Sequence, residues 1–118
     1  MDFKTTVELL ELLRKYQKYK GFQDTDYRLA KILNISHSSI HNLLYKGGIM
    51  SDETAMHVAN ELGLPPSYVL LCAWHERNKN QATKDAIQEI AAKYLKVSVF
   101  ILISSAILNA VTLLHTLA

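Results

Sequence analysis

The chain has 118 residues, with 13 Lys+Arg against 11 Asp+Glu and 49% aliphatic and aromatic residues. That length suits one small helical core and excludes a large catalytic domain with a lid, while the apolar content excludes wholesale disorder. A formal charge of +2 excludes a polybasic, histone-like protein, and one cysteine, Cys72, excludes a disulfide framework or a four-ligand zinc finger.

Apolar residues recur at helical rather than alternating spacing nearly throughout, so an all-α fold is expected. Thr5 or Thr6 caps a first helix with Glu8 in its first turn. Val7, Leu9, Leu10, Leu12, Leu13 and Tyr16 give that helix a wide apolar face. It closes at Gly21, after the basic run Lys18–Lys20. A second helix starts near Thr25 or Asp26 and turns Leu29, Ala30, Ile32 and Leu33 inward. Asn34 tolerates the left-handed conformation and marks a sharp turn. Ser36 caps a third helix over about residues 37–46, with Ile40, Leu43 and Leu44 apolar, closed by Gly47 and Gly48.

Ser51 caps a fourth helix that opens with Asp52 and Glu53, presents Ala55, Val58, Ala59 and Leu62, and stops at Gly63. Pro65 and Pro66 sit where a fifth helix starts, with Tyr68–Glu76 following. Residues 82–96 form a further helix with Ile87, Ile90, Ala91 and Tyr94 on one side. Residues 1–76 are read as one domain, 77–96 as linker and helix, and 97–118 as a separate hydrophobic helix.

Charge is unevenly spread over these parts. Residues 1–50 carry +3 and residues 51–96 carry −1, while 97–118 carry none. The N-terminus lacks the apolar stretch of a secretory signal, so a cytoplasmic body is expected.

The stretch that points to function is YRLAKILNISHSSIHNLLYKGG, Tyr27 to Gly48. A short helix with a small residue, Ala30, lets a second helix cross closely. Ile35 and Ile40 plug the angle between them. Two helices steeply joined by three or four residues are a helix-turn-helix. His37, Ser38, Ser39, His41 and Asn42 are poor helix formers for a merely solvated face, so the outer face of 37–46 is read as one that recognises something.

LAKILNISHSSIH, then Gly47-Gly48, then VANELGL resembles the Cro/CI-type, lambda-repressor-like (XRE) DNA-binding family. That family's pattern runs LAxxLGVSxxxIS, a closing glycine, and a helix ending in ALG. Asn34 replaces the usual turn glycine and Leu43 a frequent aromatic. The resemblance covers roughly residues 5–70 and implies a five-helix DNA-binding domain of a small phage-type regulator, a repressor acting as a dimer on double-stranded DNA with half-sites about 10 bp apart. Carried over by position, the 37–46 helix enters the major groove. His37, Ser38 and Asn42 reach base edges, flanked by Ser36 and His41. Arg28, Lys31, Lys46 and the start of the second helix at Thr25 meet phosphates. Asp26 at that end repels phosphate and is read as a capping residue.

His37 and His41, four apart, have metal-ligand spacing but no third ligand nearby in sequence, and no metal or cofactor is expected. Cys72 lies in an apolar run and reads as buried. Tyr68 and Trp74 read as core or interface. No phosphate loop, catalytic carboxylate pair or Cys–His dyad is evident, so the chain is not read as an enzyme. Residues 97–118 are 22 uncharged residues; as a helix they span about 33 Å, enough for a bilayer core. Ser98, Ser105, Asn109, Thr112 and Thr116 share one stripe. Three readings stand: a tail anchor holding the body at the inner membrane, an oligomerisation helix, or a helix packed onto the same chain. The same fold also serves a protein-interaction adaptor or an antitoxin.

Overall fold

The computed structural model describes residues 3–94. The hydrophobic segment 97–118, with every reading of it, lies outside the described residues. Six helices follow one another: α1 Thr6–Tyr19, α2 Asp26–Leu33, α3 His37–Tyr45, α4 Asp52–Leu62, α5 Pro66–Arg77 and α6 Gln81–Tyr94. No strand occurs among the described residues, so the chain is all-α there. None of these helices is long and apolar enough to cross a membrane.

Local chemistry sets the helix ends. Thr5 Oγ1 accepts from Glu8 N–H at 3.2 Å, and Thr5 N–H donates to Glu8 Oε1 at 3.0 Å, a reciprocal capping box. The Thr5 backbone bond holds the Glu8 carboxyl below its ordinary pKa. Thr25, Ser36 and Ser51 cap α2, α3 and α4 through their hydroxyls. Four helices are closed by a left-handed residue: Gly21 (φ 90°), Asn34 (φ 55°), Gly47 (φ 75°) and Gly63 (φ 69°). The ends of α1, α2 and α4 carry the same pair of backbone bonds. At α2 these run from Asn34 N–H to Lys31 O at 3.2 Å and from Ile35 N–H to Ala30 O at 3.0 Å. They satisfy carbonyls that the helix leaves unpaired.

The core gathers one stripe from each of α1 to α5. Leu9, Leu10, Leu13, Ile40, Met50, Val58, Tyr68 and Val69 are fully buried. Fully burying one aliphatic side chain contributes about 1.5–3 kcal/mol. α4 lies along α5 and α2 along α3, while α1 packs on α3, α4 and α5. α6 packs on α5 and buries Ile87 and Ala91.

Some stripes are narrower than the sequence pattern suggests. Val7 is 38% exposed, and Leu12 and Tyr16 are half-buried, so the fully covered apolar residues of α1 are Leu9, Leu10 and Leu13, flanked by buried Thr6 and Gln17. Ile90 and Trp74 are exposed, whereas Tyr68 beside Trp74 in α5 is buried. The tyrosine takes the place in the core, and Trp74 lines a groove with Leu70 and Leu71. The third helix ends at Tyr45, one residue short of the expected limit, and the sixth runs from Gln81 to Tyr94, the last described residue.

One polar link crosses the core. Thr6, fully buried at the start of α1, donates its N–H and its hydroxyl to Glu76 Oε1 of α5 at 2.9 and 2.6 Å. Its hydroxyl oxygen accepts from Met50 N–H at 3.2 Å. The Glu76 carboxylate thus meets the positive end of α1, where negative charge is favourable.

Candidate nucleic-acid interface

α2 and α3 meet with Ala30, Leu33, Ile40 and Leu43 buried between them and the rest of the core. Ile35, in the turn, is half-buried against that core. This seam leaves the other side of α3 in solvent. His37, Ser38, Ser39, His41, Asn42 and Tyr45 are all exposed there. The helix has no Asp, Glu, Lys or Arg from His37 to Tyr45. Between residues 12 and 51 the chain carries seven Lys/Arg and only two acids, Asp24 and Asp26.

The two acids are held by α1. Arg14 hydrogen-bonds Asp26 Oδ1, and its Nε stands 2.8 Å from Asp24 Oδ1, an ion-pair distance without hydrogen-bond alignment. Glu11 adds a looser contact at 3.5 Å. Burial works against the Arg14 charge, but the bonds with Asp26 and Tyr45 and the nearby acids outweigh it. The guanidinium pKa is therefore raised. Asp26 Oδ2 accepts from the Tyr45 hydroxyl at 2.9 Å. Asp26 is therefore not the cap of α2. That role falls to Thr25, whose Oγ1 accepts from Arg28 N–H at 3.1 Å. Asp26 instead turns inward and ties α2 to α1 and α3.

The expected contact residues divide into two groups. His37 and Ser38 stand at the exposed N-terminal end of α3, with His41 and Asn42 one turn further on. Ser36 is exposed too, but its hydroxyl is already committed. It accepts from Ser39 N–H at 3.0 Å and donates to Ser39 Oγ at 2.9 Å. The His41 ring lies 4.9 Å from the Tyr45 ring, tilted by 59°. The Asn42 amide folds over Gly48, where a Cβ would stand 2.9 Å from its Nδ2. Asn42 O accepts from both Lys46 N–H and Gly48 N–H.

Of the expected phosphate contacts, Lys31 and Lys46 are exposed. Arg28 is half-buried, with its guanidinium 4.2 Å from the Phe22 ring centroid and its Nε buried without a partner. A cation held over an aromatic face keeps its charge but gives up some freedom to follow a ligand. Lys20, Phe22, Arg28 and Lys31 line one groove between α1 and α2, with Glu61 at its far side.

Sequence reasoning missed the Arg14–Asp26–Tyr45 link. The signal present was an arginine adjoining the Leu10–Leu13 stripe and two acids, Asp24 and Asp26, separated by one residue at the start of α2. Cys72 is buried, and burial pushes its thiol up to about 11, which leaves no reactive thiolate near neutral pH. No group of three His, Cys, Asp or Glu that could hold a metal ion occurs among the described residues. Comparison of the chain with protein-family models, curated proteins and solved structures finds no match.

Proposed function

We propose that the chain is a sequence-specific double-stranded DNA-binding regulator of the Cro/CI type, with α1–α5 as its five-helix domain, working as a dimeric repressor. The observation that carries this reading is the outward face of α3. Four hydrogen-bonding side chains, His37, Ser38, His41 and Asn42, are exposed together on a helix whose opposite side is locked into the core. Imidazole, hydroxyl and amide groups match the donor and acceptor patterns of base edges in the major groove. Lys31, Lys46 and Arg28 on the same helix pair supply positive charge for the backbone. Thr25 caps α2 and leaves its hydroxyl proton for a phosphate oxygen at that helix end.

The test is selection from a random duplex pool with the full chain, followed by binding measured against salt. Enrichment of an inverted repeat with half-sites about one helical turn apart supports the reading. Failure to enrich any sequence, with no salt-sensitive binding to random duplex at low salt, refutes it.

A second reading is a protein-interaction module, either adaptor or antitoxin. It is favoured by Trp74, 45% exposed, which lines one shallow groove with Leu70 and Leu71, edged by Asp52 and Arg77. As an adaptor the chain ignores duplex DNA at low salt while the Trp74 groove is occupied; as an antitoxin it binds DNA and masks a toxin as well. For residues 97–118, alkaline carbonate extraction of membranes separates an anchor, retained in the pellet, from an assembly helix, released with the 1–96 truncation.

A further inference from the structure

Four side chains form a continuous chain across three helices. Arg14 of α1 holds Asp26 Oδ1 of α2. The other oxygen, Asp26 Oδ2, takes the Tyr45 hydroxyl of α3 at 2.9 Å. The Tyr45 ring then lies 4.9 Å from the His41 imidazole, one turn back along α3. Tyr45 is 58% exposed and stands at the last residue of its helix, where packing alone does not select one rotamer. The bond to Asp26 selects one. Asp26 is a firm anchor because both its oxygens are used and Arg14 braces it from the core side. With the Tyr45 ring fixed, one side of the His41 imidazole is occupied and its swing is restricted.

We propose that Tyr45 and Asp26, braced by Arg14, are positioning residues that fix the His41 imidazole for reading a base edge. The proposal rests on the DNA-binding reading above. It assigns specificity to residues that need touch no base. A reading side chain held in one orientation loses less conformational freedom on binding than one that must be ordered, so discrimination at its base pair rises.

The test uses the full chain and a duplex that the unaltered chain enriches from a random pool. Affinity is measured for that duplex and for each of its single-base-pair variants, with Tyr45→Phe, His41→Ala and the double substitution. Phenylalanine keeps the ring and removes only an exposed donor, so the fold and the unfolding midpoint stay as they were. His41→Ala is expected to lose discrimination about tenfold at one base pair, within the range of a single base contact. Tyr45→Phe should lose a large part of that factor at the same base pair, with its salt dependence unchanged. The double substitution should be no worse than His41→Ala alone. The positioning role is overturned, with DNA reading left standing, in three cases: Tyr45→Phe keeps full discrimination, it loses discrimination at a different base pair, or its loss multiplies with that of His41→Ala. It is also overturned if His41→Ala costs nothing at any base pair. If the unaltered chain enriches no duplex, both the DNA reading and this inference fall.

Discussion

Gly48 makes room for Asn42. A β-carbon at position 48 would stand 2.9 Å from Asn42 Nδ2, closer than such atoms tolerate, and 3.2 Å from Asn42 O, a tight contact. The residue that closes α3 therefore also sets where the Asn42 amide rests. Gly48→Ala should push that amide outward at a stability cost of about 1 kcal/mol, because the side-chain end moves easily and the backbone oxygen does not. Urea unfolding gives the cost. An unchanged midpoint, together with unchanged Asn42 amide resonances, would show that the contact is slack.

Asn42 and Lys46 lie four residues apart on one helix end, yet their substitutions should look different. Asn42→Ala removes a base-edge partner and should cost about 1–3 kcal/mol of discrimination at one base pair. Lys46→Ala removes a charge and should weaken every sequence alike, lowering the magnitude of the salt slope by about 1. Binding isotherms on a selected and a scrambled duplex at several salt concentrations separate the two. If Asn42→Ala acts uniformly on all sequences, its assignment as a reader is wrong.

The elements themselves were legible because the signals that make them are local. Thr5, Ser36 and Ser51 are capping side chains acting on an N–H three residues on, and Asn34 and Gly63 are residues that accept a positive φ. Such effects need no knowledge of the fold. Helical spacing likewise located Leu29, Ala30, Ile40 and Val58 in the core. It misjudged Val7 and Ile90, because periodicity says which way a side chain points and not how far the neighbouring helix reaches. The Arg14–Asp26–Tyr45 link was not legible for a similar reason. It depends on the angle at which α1 crosses α2 and α3, which the sequence states only through the packing of all three.

Thr6 and Glu76 illustrate the same limit over 70 positions, and their contact should be expensive to break. Thr6→Val keeps the volume but deprives Glu76 of a hydroxyl donor and Met50 N–H of its acceptor. A buried donor left without a partner costs about 1–3 kcal/mol. The variant should unfold at lower urea with the same steepness. A loss below about 0.5 kcal/mol, the size of an ordinary surface change, would mean that water replaces the hydroxyl there.

Cys72 should be chemically silent in the native state. It is 1% exposed, and burial raises its pKa to about 11. At pH 8 a thiol-specific reagent should label it only as fast as the chain opens, and adding urea to the unfolding midpoint should accelerate labelling sharply. Rapid labelling without denaturant would place Cys72 at the surface and contradict the packing of α5 described above.

His75 should make stability depend on pH in the mildly acidic range. It lies on α5 with its ring 4.9 Å from that of Phe3, and Lys84 and Asp85 of α6 are the charged groups facing it. Burial is the main influence on its pKa and Lys84 the next; both disfavour the imidazolium, Asp85 opposes them, and the pKa falls below 6.5. The unfolded chain therefore binds the proton more readily than the folded one. Stability from this group is whole above pH 6.5 and is lost as pH falls from there toward the lowered folded value, after which it is level. Glu8, also lowered, from 4.5, acts in the same direction but in a more acid window. Urea midpoints measured between about pH 7.5 and 5.5 isolate the histidine. The midpoint should drop across that interval in the unaltered chain and drop less in His75→Phe. Lys84→Met should also flatten the slope, since removing that charge brings the folded pKa back toward the unfolded one. Equal slopes in all three chains would show that the imidazole at position 75 takes up its proton as freely in the folded state as in the unfolded one.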